Sequence, residues 1–271
     1  MPGEKAHLTR EKETLLITLC GKALESRLPD SLLKDWFAAE AVGKIDYDFG
    51  RLKVDRNLGV GLAIRAKAID DRVRAFIARH PDAVVLHLGC GLDSRVFRVN
   101  PPAGVAWHDV DYPEVIALRG RLYPDRENCR LVASSVTDPQ WLETVPADRP
   151  AMIAAEGLTP YLPADEGPKL FARLVRHFDR GEIVCDAYSS LGLKIVAMTP
   201  SVRATGAKLL WAINDPHDLE KAVPGLKLVE EIAPYETEHV RRMTLGARLF
   251  IGVWNLIPPL KKIGRLLRFE F

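Results

Sequence analysis

The stretch 83–99, AVVLHLGCGLDSRVFRV, carries an apolar run straight into two glycines one residue apart and then turns charged. A short apolar run that ends on glycine reads as a buried strand stopping at a tight bend. Further apolar segments follow at VAWHDVD (105–111), CRLVASSV (129–136), AMIAAEG (151–157) and EIVCDAYS (182–189). Between them PEVIALRGRLY (113–123) and ADEGPKLFARLVRHFD (164–179) have helical spacing. Strands alternating with helices imply an α/β fold, a parallel sheet covered on both faces.

Upstream, GVGLAIRAKAIDDRVRAFIARHPDA (59–83) places Leu62, Ala66, Ile69, Val73, Phe76 and Ile77 three and four residues apart, a helix that leads into the first strand. Residues 11–40 predict two more helices, with Leu32, Leu33, Trp36 and Phe37 on one side of the second and Pro29–Asp30 at its start. The tail, LKLVEEIAP (226–234) and RLLRFEF (265–271), predicts a late strand pair flanking a helix. No internal repeat or low-complexity linker divides the chain, which predicts one domain over 1–271: a helical cover (1–60), a cofactor-binding core (61–190), and a substrate-covering segment with the last strands (191–271).

Lys and Arg total 38 against 36 Asp and Glu, a balance that gives no nucleic-acid footprint. Cys20, Cys90, Cys129 and Cys185 are scattered without a CxxC pair, so neither a disulfide framework nor a zinc site is expected, and a reducing, cytoplasmic setting fits. The opening residues lack a signal-peptide profile, and LGARLFIGVWNLIPPL (245–260) carries Arg248 and ends in prolines, so no membrane partner is expected.

In an open parallel sheet, ligands bind beyond the carboxyl ends of the strands. Gly89, Cys90 and Gly91 would form the lip of that crevice, glycine allowing positive φ and close backbone approach. A dinucleotide fingerprint wants GxGxxG. Here the third glycine is missing and Asp93 stands beside its place. A carboxylate repels a pyrophosphate and attracts an ammonium, so the expected ligand is S-adenosylmethionine (SAM) rather than NAD. Asp111, twenty residues past the second glycine, ends the next strand, where it can accept both ribose hydroxyls or simply cap the following helix.

At this point the chain resembles the leucine carboxyl methyltransferase superfamily, through LGCGLDSRVFR, WHDVDYPEVIALRGRLYP, SVTDPQW and AAEGLTPYL in that order. The resemblance is closer to its microbial branch, the O-methyltransferases associated with polyketide biosynthesis, through ETLLITLCGKALESRLPD and AIRAKAIDDRVRAFI. It covers residues 13 to 190 and is looser beyond. It implies a Rossmann-like, doubly wound class I methyltransferase sheet, mostly parallel with an antiparallel C-terminal strand and an N-terminal helical lid. It also implies that Arg65 holds the SAM carboxylate, Gly89 to Gly91 form the turn, and Asp111 with Tyr112 takes the ribose. Ser135 and Val136 would border the adenine, and Glu156 the methionyl moiety. Ser135 departs from the family's usual Asp at that place.

Other roles stand beside these. Arg65 can pair with Asp70 or Asp71 on a solvated face. Glu156, at a buried strand end, requires a cationic partner, which the cofactor would supply. His87 reads as a core histidine and Cys90 as a small side chain suited to the turn. Asp186 and Tyr188 face the acceptor or stabilise a loop. The implied activity is methyl transfer to a carboxylate, or a hydroxyl, of a small organic acid or polyketide-like molecule. A carboxylate needs no base; a phenol would, and Tyr161, His108 and His217 are the candidates. The segment 196–213, VAMTPSVRATGAKLLWAI, would help form the acceptor pocket from Met198 to Trp211, with Arg203 or Lys208 able to hold an acid or to form surface pairs. A non-catalytic SAM-binding protein and a methyltransferase acting on protein C-terminal carboxyls remain open alternatives.

Overall fold

The computed structural model describes residues 4, 5, 8 and 10–271; residues 1–3, 6, 7 and 9 of the expected helical cover lie outside the described residues. Two two-residue strands, β1 (Glu4–Lys5) and β2 (Ile45–Asp46), pair in parallel near the amino-terminal helices α1 (Leu15–Ser26) and α2 (Trp36–Lys44). The long helix α3 (Arg56–Arg79) then leads to β3 (Val84–Leu88), and the short helix α4 (Arg95–Val99) follows the glycine bend. Next come β4 (Ala106–Asp111), α5 (Pro113–Leu122), β5 (Cys129–Ala133), β6 (Ala151–Ala155), α6 (Glu166–His177) and β7 (Gly181–Tyr188). The remainder holds α7 (Ser190–Met198), α8 (Pro200–Thr205), α9 (His217–Ala222), β8 (Lys227–Ile232), α10 (Leu245–Asn255), α11 (Pro258–Lys261) and β9 (Gly264–Glu270).

The main sheet has the order β5-β4-β3-β6-β7-β9-β8. Its first five members are parallel, while β9 runs antiparallel between β7 and β8. From β3 the chain moves outward through β4 and β5, then returns to lay β6 on the other side of β3. That reversal leaves a crevice above the carboxyl ends of β3 and β6. Every residue of β3 and β6 is buried because helices cover both faces. On one face Ile69, Val73 and Phe76 of α3 meet Val85, Trp107 and Met152. On the other, Leu170, Phe171 and Leu174 of α6 meet Leu86 and Ile153. Edge strand β8 instead alternates exposed and half-buried residues, with a bulge between Leu228 and Glu230.

The second amino-terminal helix starts later than the sequence predicts. Glu25 accepts the Leu33 N–H at 3.2 Å, and the Ser26 hydroxyl accepts the Asp35 N–H at 2.8 Å. These side chains hold 27–35 as a loop, and α2 begins at Trp36 with Asp35 capping the Ala38 N–H at 2.9 Å. Leu32 and Leu33 therefore lie in the loop rather than on a helix face.

Candidate functional site

A cavity of about 1010 Å³ opens above β3, β4 and β6. Arg65, Gly89, Cys90, Gly91, Asp93, Asp111, Tyr112, Ser135, Val136, Glu156 and Tyr161 all line it. The bend is formed as the two glycines allow: φ is +60° at Gly89 and +50° at Gly91. A Cβ at Gly89 would come within 3.0 Å of the Leu158 side chain, so a larger residue would close the lip. One oxygen of Asp111 accepts the Gly91 N–H at 2.7 Å and the other the Tyr112 N–H at 2.7 Å. Burial raises the Asp111 carboxyl, and these two N–H groups oppose that rise. The acid is thus fixed across the bend, with acceptor capacity left over for a diol.

Below the bend lies a buried ionic wall. Glu156 pairs with Lys22 at 3.2 Å, with Arg65 at 3.1 Å and with Arg95. Arg65 also reaches Asp186 at 2.8 Å and donates to the Tyr188 hydroxyl at 3.2 Å. Asp186 in turn accepts the Gly157 N–H at 2.8 Å. Arg95 and Arg98 share Asp70, at 2.7 Å and 2.8 Å, and Asp71 pairs with Lys67, so the alternative pairing of Arg65 with Asp70 or Asp71 is replaced by pairing across the sheet. Burial alone would raise Glu156, but Lys22, Arg65 and Arg95 hold it well below the usual carboxylate range. The expectation that Glu156 lacks a partner until a cationic ligand arrives is therefore corrected: three cations of the chain surround it.

Asp93 is held low in the same way, burial being outweighed by Arg98, Lys22 and Arg95. Its Oδ1 accepts from Arg98 at 2.6 Å. Its Oδ2 is buried between two cations, with Lys22 Nζ at 3.0 Å and Arg95 Nη2 at 3.4 Å. Asp93 lines the cavity with a sign that suits an ammonium, while Lys22 and Arg65, which line it too, suit a carboxylate. A wall carrying both signs fits the amino-acid end of SAM and offers a pyrophosphate no uncompensated cation. Lys22, which lines the cavity, and Arg95 behind it are members of this wall that the sequence reading missed. Their signal was a lysine inside the apolar face LLITLCGKAL and an arginine flanked by Ser94 and Val96.

The base candidates separate. Tyr161 lines the cavity, its phenol pushed up by burial. His108 is corrected: it sits within β4, buried, with Nδ1 lacking a partner, and does not line the cavity. Strand alternation explains this, since its neighbour Asp109 points to the other face and meets His87 Nδ1 at 3.0 Å. His217 is also corrected; it is exposed on α9 beside Glu220, which raises its pKa, and lies off the cavity. Ser135 places its hydroxyl 2.8 Å from that of Thr137.

In the expected acceptor segment, Thr199, Val202, Lys208 and Leu210 line the cavity, whereas Met198, Arg203 and Trp211 do not. Trp211 packs instead against Phe171 and over Gly167. The helix expected between the late strands is α10, and its Ala247, Phe250, Ile251 and Trp254, which the sequence reading did not single out, complete the lining. Among the described residues no helix is long and apolar enough to cross a membrane, and no group of three or more His, Cys, Asp or Glu is placed to hold a metal.

The family model for leucine carboxyl methyltransferases matches residues 16–175. Tetracenomycin polyketide synthesis O-methyltransferase TcmP of Streptomyces glaucescens is 42% identical over 269 residues, covering 99% of this chain and 100% of that protein. The S-adenosyl-L-methionine-dependent methyltransferase dpfgK of Gibberella zeae is 36% identical over 249 residues, 84% of each chain. Among solved structures, a DUF574 family protein from Streptomyces avermitilis matches with a TM-score of 0.57 at 13% identity, covering 84% of this chain and 93% of that one, a likeness of fold alone.

Proposed function

The chain belongs to the leucine carboxyl methyltransferase family, and from that premise we propose that it esterifies the carboxylate of a small, polyketide-like acid. It is a SAM-dependent methyltransferase. When bound, SAM supplies an activated methyl group on sulfur. Asp111 would receive the ribose hydroxyls, Ser135 and Val136 the adenine edge, Asp93 the ammonium, and Lys22 with Arg65 the carboxylate. The protein's contribution to such a transfer is position and exclusion of water.

The observation that carries the carboxylate reading is the state of the imidazole at the cavity. His87 is the histidine that lines it among the described residues. Its Nδ1 faces Asp109 and its Nε2 faces Arg95 Nη1, each at 3.0 Å. Because an arginine only donates, Nε2 accepts, and the ring proton sits on Nδ1. Burial also pushes His87 below its ordinary pKa. An imidazole committed at both nitrogens takes no proton from an acceptor, and Tyr161, pushed up, stays protonated. A carboxylate arrives already ionised and requires neither.

The three segments 1–60, 61–190 and 191–271 would act as cover, cofactor core and acceptor cover of one unit. Four free cysteines, Cys20, Cys90, Cys129 and Cys185, support work in the cytoplasm. The test is labelled-methyl transfer from SAM into a panel of aromatic carboxylic acids and phenols, followed by mild alkali. Label released as methanol is the expected result. Base-stable label would make the acceptor a hydroxyl, and no transfer across the panel would favour the non-catalytic alternative.

A further inference from the structure

The cationic side chains that line the cavity fall into two groups. Lys12 pairs with Glu114; Lys22 and Arg65 belong to the ionic wall; Lys261 pairs with Glu236 at 2.6 Å and Arg265 with Glu231 at 2.7 Å. Lys208 has no ion pair and no hydrogen bond among the described residues, yet it lines the same cavity. Its backbone is held close to Tyr161. Gly206 turns the chain at φ +68°, and the Leu210 N–H donates to the Pro160 carbonyl at 2.7 Å. Lys208 is an exposed residue, and no carboxylate of the described residues pairs with it.

Elsewhere the acceptor part of the lining is apolar and aromatic. Tyr235, Phe250 and Trp254 contribute rings, with the Phe250 and Trp254 centroids 5.3 Å apart. Trp254 Nε1 donates to the Leu260 carbonyl at 2.9 Å, which fixes its indole. An apolar, aromatic lining with one cation that no carboxylate of the described residues pairs with favours an aromatic molecule with one negative group.

We propose that Lys208 is the specificity-determining residue of the acceptor subsite, pairing with the carboxylate of a planar aromatic acid. The inference rests on the carboxylate reading above and extends it to a residue and a ligand shape. Lys208 acts by holding the acceptor carboxylate and takes no proton from it. Its charge also predicts that acceptor affinity falls with added salt.

The experiment titrates anthracene-2-carboxylate, and separately the neutral anthracene-2-carboxamide, into protein saturated with S-adenosylhomocysteine. Wild type, Lys208→Arg and Lys208→Met are compared by ligand fluorescence. The acid should bind Lys208→Met about 10-fold more weakly than wild type, as expected for loss of a charge-assisted contact. Lys208→Arg should retain most of the affinity, and the amide should bind all three proteins alike, which also reports their folding. Equal binding of the acid to wild type and Lys208→Met, equal loss of acid and amide, or no binding of the acid to wild type overturns the proposal. Such a failure with alkali-labile methyl transfer intact removes Lys208 alone, whereas alkali-stable transfer removes the carboxylate reading itself.

Discussion

At the floor of the cleft, Glu156 touches Lys22, Arg65 and Arg95, and each of those cations has a second carboxylate within reach. Across the cavity, α10 has no buried residue; Phe250 and Trp254 line the cavity, yet Phe250 is as exposed as Leu245, Leu249 and Val253, which do not line it. The first wall is built from directional contacts that determine one another, so its geometry is in place before a ligand arrives. The second is built from non-directional apolar surface that can shift without leaving a polar group unpaired. Cofactor recognition belongs on the first kind of wall, because the cofactor never changes. Acceptor recognition belongs on the second, where shape is set by side chains that tolerate replacement.

The sharpest way to break this contrast is Arg95→Ala. Removing a fully buried guanidinium leaves Asp70 and Glu156 short of compensation, which costs about 3–5 kcal/mol of folding stability. Urea denaturation would read it, and a loss below about 1 kcal/mol would show that the wall is not mutually dependent.

Acid titration tests the same wall without mutation. His87, Asp93 and Glu156 all have folded-state pKa values below their ordinary ones. Each therefore contributes stability that is complete above its unfolded value and lost as pH falls through the folded one. Thermal unfolding should begin to weaken below about pH 6.5, through His87, and fall more steeply below about pH 4 as the carboxylates protonate. A midpoint unchanged from pH 7 to 4 contradicts the account.

A smaller effect is expected on binding. Asp111→Ala and Glu156→Ala should each weaken S-adenosylhomocysteine affinity by about 1–3 kcal/mol in calorimetry. Unchanged affinity in both folded variants would mean that the cofactor lies elsewhere. Least of all should Leu249→Ser matter: on the exposed side of α10 it should change stability by no more than about 0.5 kcal/mol. A larger loss would show that this face is covered in solution.

The same contrast explains what could be read from the sequence. The strand at 151–155 is an uninterrupted apolar run, the one at 84–88 is apolar apart from His87, and α3 repeats its apolar positions every three or four residues, so the sheet, its covering helices and the bend at Gly89–Gly91 were legible. Asp111 was legible as a strand-end acid, although its two backbone N–H contacts were not. The need of Glu156 for cations followed from burial, but the cations themselves did not, because Lys22 is 134 residues away in sequence. His108 and Asp109 show the limit on a finer scale. One step along β4 decides which side chain reaches His87, and composition cannot tell the two faces apart. The start of α2 escaped for a related reason: Glu25 and Ser26 on α1 hold the loop, and nothing within 27–35 announces them.

The most direct test of the central claim, that the prearranged wall is the cofactor site, is a crystal structure with S-adenosylhomocysteine bound. The account predicts its ribose on Asp111 and its amino-acid end against Asp93, Lys22 and Arg65, with the Glu156 contacts retained. Density for the nucleoside against α10 and Lys208 instead, with the Asp111 carboxylate untouched, would contradict it.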